Sequence, residues 1–188
     1  MNAEWIELST AIRGCTACSE LVASRSTVVV GEVPLGARLA LVGEAPGAQE
    51  DAAGRPFVGR AGQLLDELLT GAGLRREEVA VLNVLKCRPP ANRPPKPTEA
   101  ANCRPWLERQ LHLVAPAITV ALGLSATRWF LGRTPTLSAV RGRAHSVLGR
   151  AVIPTYHPSA ALRFGPNGAP LAALRTDLAL AAELVQTG

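Results

Sequence analysis

The four cysteines of this chain have the spacing of metal ligands. Cys15 and Cys18 form a close pair two residues apart, and Cys87 and Cys103 lie on either side of a proline-rich segment. A close pair can curl around one metal centre, and two distant thiolates would complete the site. Zinc and a four-iron cluster both accept four thiolates, and spacing alone favours zinc ahead of the cluster and of unligated cysteines. Such a closed site would be structural, and it would pin the N-terminal segment against the proline-rich loop.

Three polar segments follow hydrophobic runs and could together form a ligand site. They are the glycine-bearing loop Gly43–Gly47, the amide Asn83 and the segment His157–Ser159. Polar, turn-rich segments at strand exits are common places for binding residues, so one crevice built from all three is the predicted site. The glycines could instead cradle a phosphate. The loop, however, lacks the Gly-Lys-Ser/Thr ending of a P-loop and the third glycine of a dinucleotide fingerprint.

Short hydrophobic strands alternate with helices along the chain. Strands are predicted at Arg38–Val42, Val79–Leu85, Ala117–Leu122 and Ala151–Tyr156. Helices are predicted at Trp5–Ile12, Gln63–Ala72, Thr98–Leu113 with Thr98 as N-cap and a boundary or kink at Pro105, Ser125–Leu131 and Ala169–Gln186. This order predicts an α/β fold: a single domain over residues 1–188, with three α/β/α layers and a mostly parallel central sheet of about four strands. The ligand crevice of such a sheet lies beyond the carboxyl ends of its strands.

Composition and charge indicate the setting in which the protein works. No run approaches the roughly 18 uninterrupted apolar residues of a membrane span. Glu4 and Glu7 stand where a signal peptide would be basic, so the chain is expected to be soluble and cytoplasmic. The formal charge of +5 is too small to argue nucleic-acid binding by itself, and only Lys86 and Lys96 of the 20 basic residues are lysines. The arginine excess fits phosphate contacts, and it fits a GC-rich genome equally well.

Three ordered motifs occupy the middle and the end of the chain. They are GEAPGAQEDAAGRPFVGRAGQLL (Gly43–Leu65), NVLKCRPPANR (Asn83–Arg93) and HPSAALR (His157–Arg163). With the cysteines, they resemble the family 4, iron–sulfur uracil-DNA glycosylases over nearly the whole chain. The resemblance implies a DNA-repair enzyme that flips uracil out of DNA, hydrolyses its N-glycosidic bond and leaves an abasic site. It also implies one structural 4Fe-4S cluster on all four cysteines, in place of zinc.

The same resemblance implies roles around the flipped base. Phe57 would be the floor on which uracil stacks, whereas a lone Phe is more often core. Asn83 would donate to O4 and accept from N3–H, and cytosine presents the reverse pattern. His157 would donate a hydrogen bond to O2 as negative charge develops there, and it need not be protonated to do so. Backbone N–H groups near the base and the attacking water would come from Gly43, Glu44, Ala45 and Gly47.

The glycine-bearing loop departs from the wider superfamily at Ala45. Relatives outside family 4 carry a catalytic Asp at the aligned position, and Ala45 cannot activate water. Glu50 is the preferred water-positioning group, with Glu44 shaping the pocket and serving as the alternative. A strong base is unnecessary if the glycosidic bond breaks largely before water attacks.

Contacts with DNA are expected around the mouth of the site. Ser159 and Arg163 would hold phosphates, and Leu162 would fill the space left by the flipped base, with Ala161 and Arg163 as alternatives. Arg88, Arg93 and Lys96 on the proline-rich loop are further candidates for backbone contacts, although each could be an ordinary solvated charge. The expected partner is single- or double-stranded DNA containing uracil, bound by a monomer, and a replication partner stays unspecified.

Three other functions fit parts of the pattern. A metal-stabilised nucleic-acid-binding module would not need Phe57, Asn83 and His157 together, and an electron-transfer protein would not need a crevice. A related branch of the superfamily crosslinks to the abasic product through a histidine in an insertion after the third cysteine. The segment Cys87–Cys103 is short and contains no histidine, so the sequence predicts turnover without a covalent adduct.

Overall fold

A mixed β-sheet lies at the centre of the computed structural model, which describes residues 3–133 and 136–187. Within these residues the strands are β1 (Leu39–Gly43), β2 (Val79–Asn83), β3 (Ile118–Leu122), β4 (His145–Val147) and β5 (Arg150–Thr155). Their order across the sheet is β2-β1-β3-β5-β4. All neighbours are parallel except β4, which pairs antiparallel with β5 at one edge. The predicted α/β fold with a mostly parallel sheet is confirmed, and a fifth strand is added to the four expected.

Helices of one to five turns connect and cover the strands. Their bounds are α1 (Ala3–Arg13), α2 (Ser19–Ser24), α3 (Ala48–Ala53), α4 (Arg60–Gly71), α5 (Pro97–Val114), α6 (Leu124–Leu131), α7 (Pro158–Phe164) and α8 (Ala169–Thr187). The five predicted helices correspond to α1, α4, α5, α6 and α8, with ends that differ by up to three residues. Within the described ranges, none of these helices combines the length and apolar character needed to cross a membrane.

Both faces of the sheet are covered by helices, which explains why the strands are apolar throughout. Every residue of β1, β2 and β3 is buried. Ala40 and Val42 point into a core shared with α1, α5 and α6, whereas Leu39 and Leu41 point into a second core shared with α4, α7 and α8. Strands buried on both faces cannot show polar alternation, so they read as continuous hydrophobic runs.

The start of α5 differs from its prediction. Thr98 lies inside the helix and Lys96 occupies the cap position, so the predicted Thr98 cap is wrong. The backbone N–H of Lys96 donates to the Glu99 carboxylate at 2.8 Å. Pro97 fits the first helical position because that residue needs no N–H partner.

Pro105 does not form the expected boundary of α5. The helix continues without interruption to Val114. A proline removes the hydrogen bond to the carbonyl four residues earlier, here that of Ala101. Pro105 and Ala101 are both exposed, so water can bind the Ala101 carbonyl and the helix tolerates the proline.

The strand and helices that the sequence did not predict are short. β4 has three residues and joins β5 through Leu148 and Gly149, whose φ angles of +50° and +77° form a two-residue hairpin turn. Leucine is an uncommon residue for such a turn, so the sequence carries no hairpin signal. The helices α2, α3 and α7 have 6, 6 and 7 residues, too few for a periodic pattern. Two of them, α3 and α7, begin at the edge of the sheet where the parallel strands end.

Candidate active site

A crevice of about 540 Å³ opens at the carboxyl ends of the parallel strands. Its walls include the loop after β1, Asn83 at the end of β2, and His157 after β5, so the three predicted strand exits do meet. The exit of β3, residues 122–124, also lines it and was not among the predicted segments. This location is the usual ligand crevice of an open parallel sheet. A volume of this size accommodates a small organic ligand.

Asn83 presents an unused acceptor to this crevice. It is 3% exposed, and within the described part of the chain its Oδ1 atom has no hydrogen-bond partner. An unsatisfied buried polar atom is costly, so a ligand donor is the expected partner. Gly43 lies beside Asn83 in the sheet register. A Cβ atom on Gly43 would come within 2.4 Å of Asn83 Oδ1 and 2.6 Å of Phe57 Cζ, so only glycine leaves room for both side chains.

The ring of Phe57 lies against both Gly43 and His157. Its centroid is 5.5 Å from that of the His157 imidazole, with a tilt of 31°. The backbone of Phe57 is left-handed, with φ of +52°, an uncommon conformation for a bulky residue. Arg76 secures this turn by donating to the Pro56 carbonyl at 2.8 Å. Gly62 permits it, since a Cβ atom there would lie 1.8 Å from the Phe57 carbonyl oxygen.

His157 caps the helix α7 with its ring. The backbone N–H of Ser159 donates to Nδ1 at 3.2 Å, and the Ser159 hydroxyl lies 2.8 Å from the same nitrogen. Because a backbone N–H can only donate, Nδ1 is unprotonated and the ring proton is on Nε2. Burial lowers the pKa of His157 to about 4, and the Glu50 charge partly opposes that shift. The imidazole is therefore a neutral donor at physiological pH.

The two carboxylates proposed from the sequence have different surroundings. Glu50 accepts three backbone N–H groups, from Gly47 at 3.1 Å, Val58 at 3.1 Å and Gly59 at 2.9 Å. It thereby joins the loop after β1 to the turn that carries Phe57. Glu44 accepts a hydrogen bond of 2.5 Å from the hydroxyl of Ser125 at the start of α6. Both carboxylates line the crevice, and Ser125 is a partner that sequence reasoning missed.

The predicted DNA contacts divide into two groups. Ser159 and Arg163 line the crevice on α7, while Leu162 lies outside the lining and is 39% exposed. Phe164, two residues further along, is 66% exposed and was not predicted. Of the three basic residues predicted on the proline-rich loop, Arg88, Arg93 and Lys96, Arg93 alone lines the crevice.

The basic residues of the proline-rich loop are engaged with other side chains. Arg93 donates to both carboxylate oxygens of Glu99, at 2.6 and 2.9 Å, and to Glu20 at 3.1 Å. Lys96 forms an ion pair with Glu20. Arg88 donates to the amide oxygen of Asn92 at 2.7 Å, so its partner is neutral. The contact with Asn92 therefore leaves the positive charge of Arg88 without a negative partner. The positive charge of Arg93 is already paired with Glu99 and Glu20, so a DNA phosphate would have to share it with them.

The four cysteines surround one cavity on the other side of the Asn83 strand exit. All four are free thiols, and each lines that cavity together with Lys86. Burial raises the pKa of Cys103 to about 11, and Lys86 partly opposes the shift. Buried thiols of this kind become thiolates when a metal supplies positive charge.

Three of the four sulfur atoms accept hydrogen bonds from nearby side chains. Arg25 donates to Cys87 Sγ at 2.9 Å, Trp106 to Cys15 Sγ at 3.4 Å and Asn102 to Cys18 Sγ at 3.6 Å. Hydrogen bonds to sulfur are typical of the surroundings of thiolate-bound metal groups. These contacts place hydrogen-bond donors around the four-cysteine cavity.

A second set of hydrogen bonds joins the cysteine segment to α3. Arg25 also donates to the Cys15 carbonyl at 2.9 Å. The next two residues donate their backbone N–H groups to the buried Asp51 carboxylate, Ser26 at 2.8 and 3.0 Å and Thr27 at 3.3 Å. Asp51 follows Glu50 in α3. One short helix thus contacts the active-site loops through Glu50 and the cysteine segment through Asp51.

Comparisons with known proteins agree with this fold. The profile of the Uracil DNA glycosylase superfamily matches residues 30–179. The chain is 49% identical to the type-4 uracil-DNA glycosylase of Thermotoga maritima, over 85% of this chain and 84% of that protein. It is 43% identical to the type-4 enzyme of Archaeoglobus fulgidus over 80% and 79% of the two chains. It is 34% identical to a type-5 enzyme of Pyrobaculum aerophilum over 77% and 78%.

A parallel sheet with a crevice at its strand ends, together with the profile match, defines a member of the uracil-DNA glycosylase superfamily. The identity to type-4 enzymes exceeds that to the type-5 enzyme. The chain belongs to the type-4 uracil-DNA glycosylase family. The resemblance described from the three motifs is thereby confirmed.

Proposed function

We propose that this protein removes uracil from DNA by hydrolysing the bond between the base and its deoxyribose, as part of DNA repair. The single observation that carries the proposal is the buried Oδ1 atom of Asn83, which lacks a partner within the described residues and borders the crevice beside Phe57. Uracil supplies the missing donor through its N3–H group. The family membership agrees with the same activity.

Recognition of the base rests on the orientation of the Asn83 amide. With Oδ1 accepting from N3–H, the Nδ2 group is free to donate to O4 of uracil. Cytosine has an acceptor at N3 and a donor amino group at C4, so both contacts would be lost. A site built around such hydrogen bonds discriminates strongly, because its own buried groups are left unpaired by the wrong base. Phe57 provides the apolar surface on which the flipped base stacks.

His157 assists the bond-breaking step as a neutral donor. The bond between C1′ of the sugar and N1 of uracil breaks, and its electron pair stays on the base as a uracil anion. The Nε2–H group of His157 stabilises this anion through O2, in the manner of an oxyanion donor. Water then forms a bond to C1′, and the proton it loses balances the charge on the released uracil. The products are free uracil and an abasic site.

The water is held on the sugar side of the crevice by a carboxylate, for which we propose Glu50. Its Oε2 atom accepts one backbone hydrogen bond and retains capacity for another donor. Glu50 also lies close enough to His157 for its negative charge to oppose the lowering of the His157 pKa by burial. Glu44, held by Ser125, shapes the pocket. Ala45 contributes its backbone alone, since its side chain has no polar atom.

The four cysteines are proposed to hold one 4Fe-4S cluster. The fit rests on the four thiols around a single cavity and on the N–H donors that reach three of the sulfur atoms. Such a cluster supplies structural cross-linking of the chain when it is bound. Cys15 and Cys18 then fix the N-terminal segment against Cys87 and Cys103. Activity itself lies with the residues of the crevice.

DNA is proposed to lie across the mouth of the crevice, along α7. Ser159 and Arg163 line that mouth and would contact phosphates, while the exposed Leu162 would enter the stack. Arg88 is the proposed backbone contact on the proline-rich loop. Phosphate contacts of this kind position the enzyme without reading sequence.

Release of free uracil from an oligonucleotide that contains uracil tests the proposal. Under single-turnover conditions we expect Asn83→Ala and His157→Ala each to slow excision by about 10²-fold, the usual effect of losing one oriented donor or acceptor. Asn167→Ala and His112→Ala remove the same side chains from exposed positions and should retain the wild-type rate. Thymine and hypoxanthine oligonucleotides run in parallel define the base specificity.

The outcomes also separate the rival functions. Tight binding of DNA without release of uracil would indicate a binding module. A protein–DNA adduct that survives denaturing electrophoresis would indicate the crosslinking branch. Near-wild-type rates in both crevice variants would refute the site. An absorption spectrum with iron and sulfide analysis of the purified protein tests the cluster independently.

A further inference from the structure

Lys86 is a buried cation that the proposed reaction does not use. It is 1% exposed, and its side chain is among the largest that are fully enclosed in the structure. Lys86 stands between Asn83 at the end of β2 and the cysteine Cys87. Its Nζ atom donates to the backbone carbonyl of Asn83 at 2.7 Å, and its side chain also borders the four-cysteine cavity. One side chain therefore touches both the base-reading residue and the cavity.

An ammonium group removed from water requires a nearby negative charge or several acceptors. The Asn83 carbonyl supplies one acceptor, and Cys87 and Cys103 line the same cavity as Lys86. The carboxylates of Glu20 and Glu99 are engaged with Arg93 and Lys96. The negative charge that balances Lys86 therefore belongs to the cysteine cavity.

Arg25 also reaches the cysteines, but it occupies a different side of the cavity. Its guanidinium contacts Cys87 Sγ and the Cys15 carbonyl, and the residue is partly open to solvent. Water can therefore screen the charge of Arg25. Lys86 is fully enclosed, so its electrostatic effect on the cavity is stronger, and it alone of the two contacts Asn83.

We propose that Lys86 is a positioning residue that balances the negative charge of the occupied four-cysteine site and, through the Asn83 carbonyl, fixes the base-reading amide. Four thiolates around an oxidised 4Fe-4S core carry a net charge of about −2, which a buried cation stabilises. In the same position, the cation restrains the backbone at the end of β2. This inference rests on the proposed cluster and deepens it by linking cluster retention to uracil recognition.

The experiment compares Lys86→Met, Lys86→Arg and wild type as iron-loaded proteins. Arg175→Met serves as the matched control, since it removes one positive charge from an exposed position on α8. The first measurement is the rate at which iron passes to an excess of chelator. The second is the inhibition constant of free uracil, compared with the affinity for an oligonucleotide that carries an abasic site.

We expect Lys86→Met to release iron about 10- to 100-fold faster than wild type, the usual effect of removing a partner that supports a metal centre. Arg175→Met should match wild type, and Lys86→Arg should retain iron because the charge is kept. The inhibition constant of free uracil should rise in Lys86→Met while the affinity for abasic DNA is unchanged. General unfolding would weaken both, so this difference identifies positioning of Asn83.

Two results would overturn the inference. One is release of iron from Lys86→Met at the rate of Arg175→Met. The other is equally fast release from Lys86→Arg, which would show that charge is not the cause and which remains decisive if Lys86→Met fails to fold. Absence of iron from the wild-type protein would instead refute the proposed cluster, so the two failures are distinguishable.

Discussion

Asn83 and His157 each bring to the crevice a hydrogen-bonding atom that a ligand can use. Both residues line the crevice, where Oδ1 of Asn83 has no partner within the described residues and Nε2 of His157 carries the ring proton. Burial of such atoms is unfavourable unless a ligand completes the hydrogen bond. At the scale of single residues, the site is prepared for a base with a donor at one position and an acceptor at another.

The roles of the two carboxylates can be separated by amide substitution. We expect Glu50→Gln to lower single-turnover excision by about 10²-fold, because it removes the charge proposed to hold the water. Glu44→Gln can still accept a hydrogen bond from Ser125 and should lose less than Glu50→Gln. Thermal unfolding of both variants checks that the three backbone hydrogen bonds of Glu50 are not the whole cause. A larger loss in Glu44→Gln would transfer the role to Glu44.

The neutral state of His157 predicts a pH dependence of stability. Burial lowers the pKa of His157 from 6.5 to about 4. Between these values the unfolded chain binds a proton that the folded protein does not, so this residue makes folding less favourable as the pH falls through the interval. We expect the free energy of unfolding of His157→Gln to decrease less across the interval than that of wild type. Denaturant titrations at several pH values measure it, and identical slopes would contradict it.

The elements around the crevice show which parts of the site a sequence can predict. Asn83 and His157 follow hydrophobic runs, so their positions at strand ends follow from the parallel-sheet rule. The helix α3 has only six residues, and nothing in its sequence indicates that Glu50 accepts N–H groups from as far away as Gly59. Ser125 was unpredictable for a related reason, because its contact with Glu44 joins elements that are distant in the chain.

The close packing of the helix α4 against the Phe57 backbone predicts that Gly62 cannot be replaced without loss of stability and activity. Gly62→Ala would place a methyl group within 1.8 Å of the Phe57 carbonyl, so the helix or the turn must move. We expect a loss of about 1–3 kcal/mol in stability and slower excision, because the stacking surface is displaced. Gly71→Ala lies in the same helix, and apart from the adjoining helix backbone no described residue comes within 4 Å of the added carbon, so it should be nearly neutral. Equal rates in the two variants would show that the position of Phe57 does not depend on Gly62.

At the scale of the whole molecule, the cysteine segment and the crevice form one connected structure. Lys86 contacts Asn83, and Asp51 ties Ser26 and Thr27 to the helix that carries Glu50. The α/β class depends on the alternation of short hydrophobic strands and helices, which a sequence displays. These ties depend on single side chains that meet across the fold, and the sequence gives no indication of them.

Removal of iron from the proposed cluster should loosen the N-terminal segment before it loosens the sheet. The segment 15–27 contains one basic residue, Arg25, whose side chain contacts Cys87 Sγ and the Cys15 carbonyl. Without the cluster these contacts lose their main anchor, so we expect trypsin to cleave after Arg25 faster in chelator-treated protein. Mass spectrometry of the fragments identifies the site. Unchanged cleavage, or simultaneous cleavage throughout the strands, would contradict this order of events.

The gathering of all four cysteines around one cavity also determines how the protein can be labelled. With all four thiols bound in the proposed cluster, the chain would have none left for maleimide dyes, spin labels or surface attachment. A single cysteine introduced at an exposed position, such as Leu148 at the tip of the β4–β5 hairpin, would then be the one reactive thiol of the metal-loaded enzyme. The protein with its proposed cluster bound would thus provide an unreactive background for distance measurements on DNA complexes.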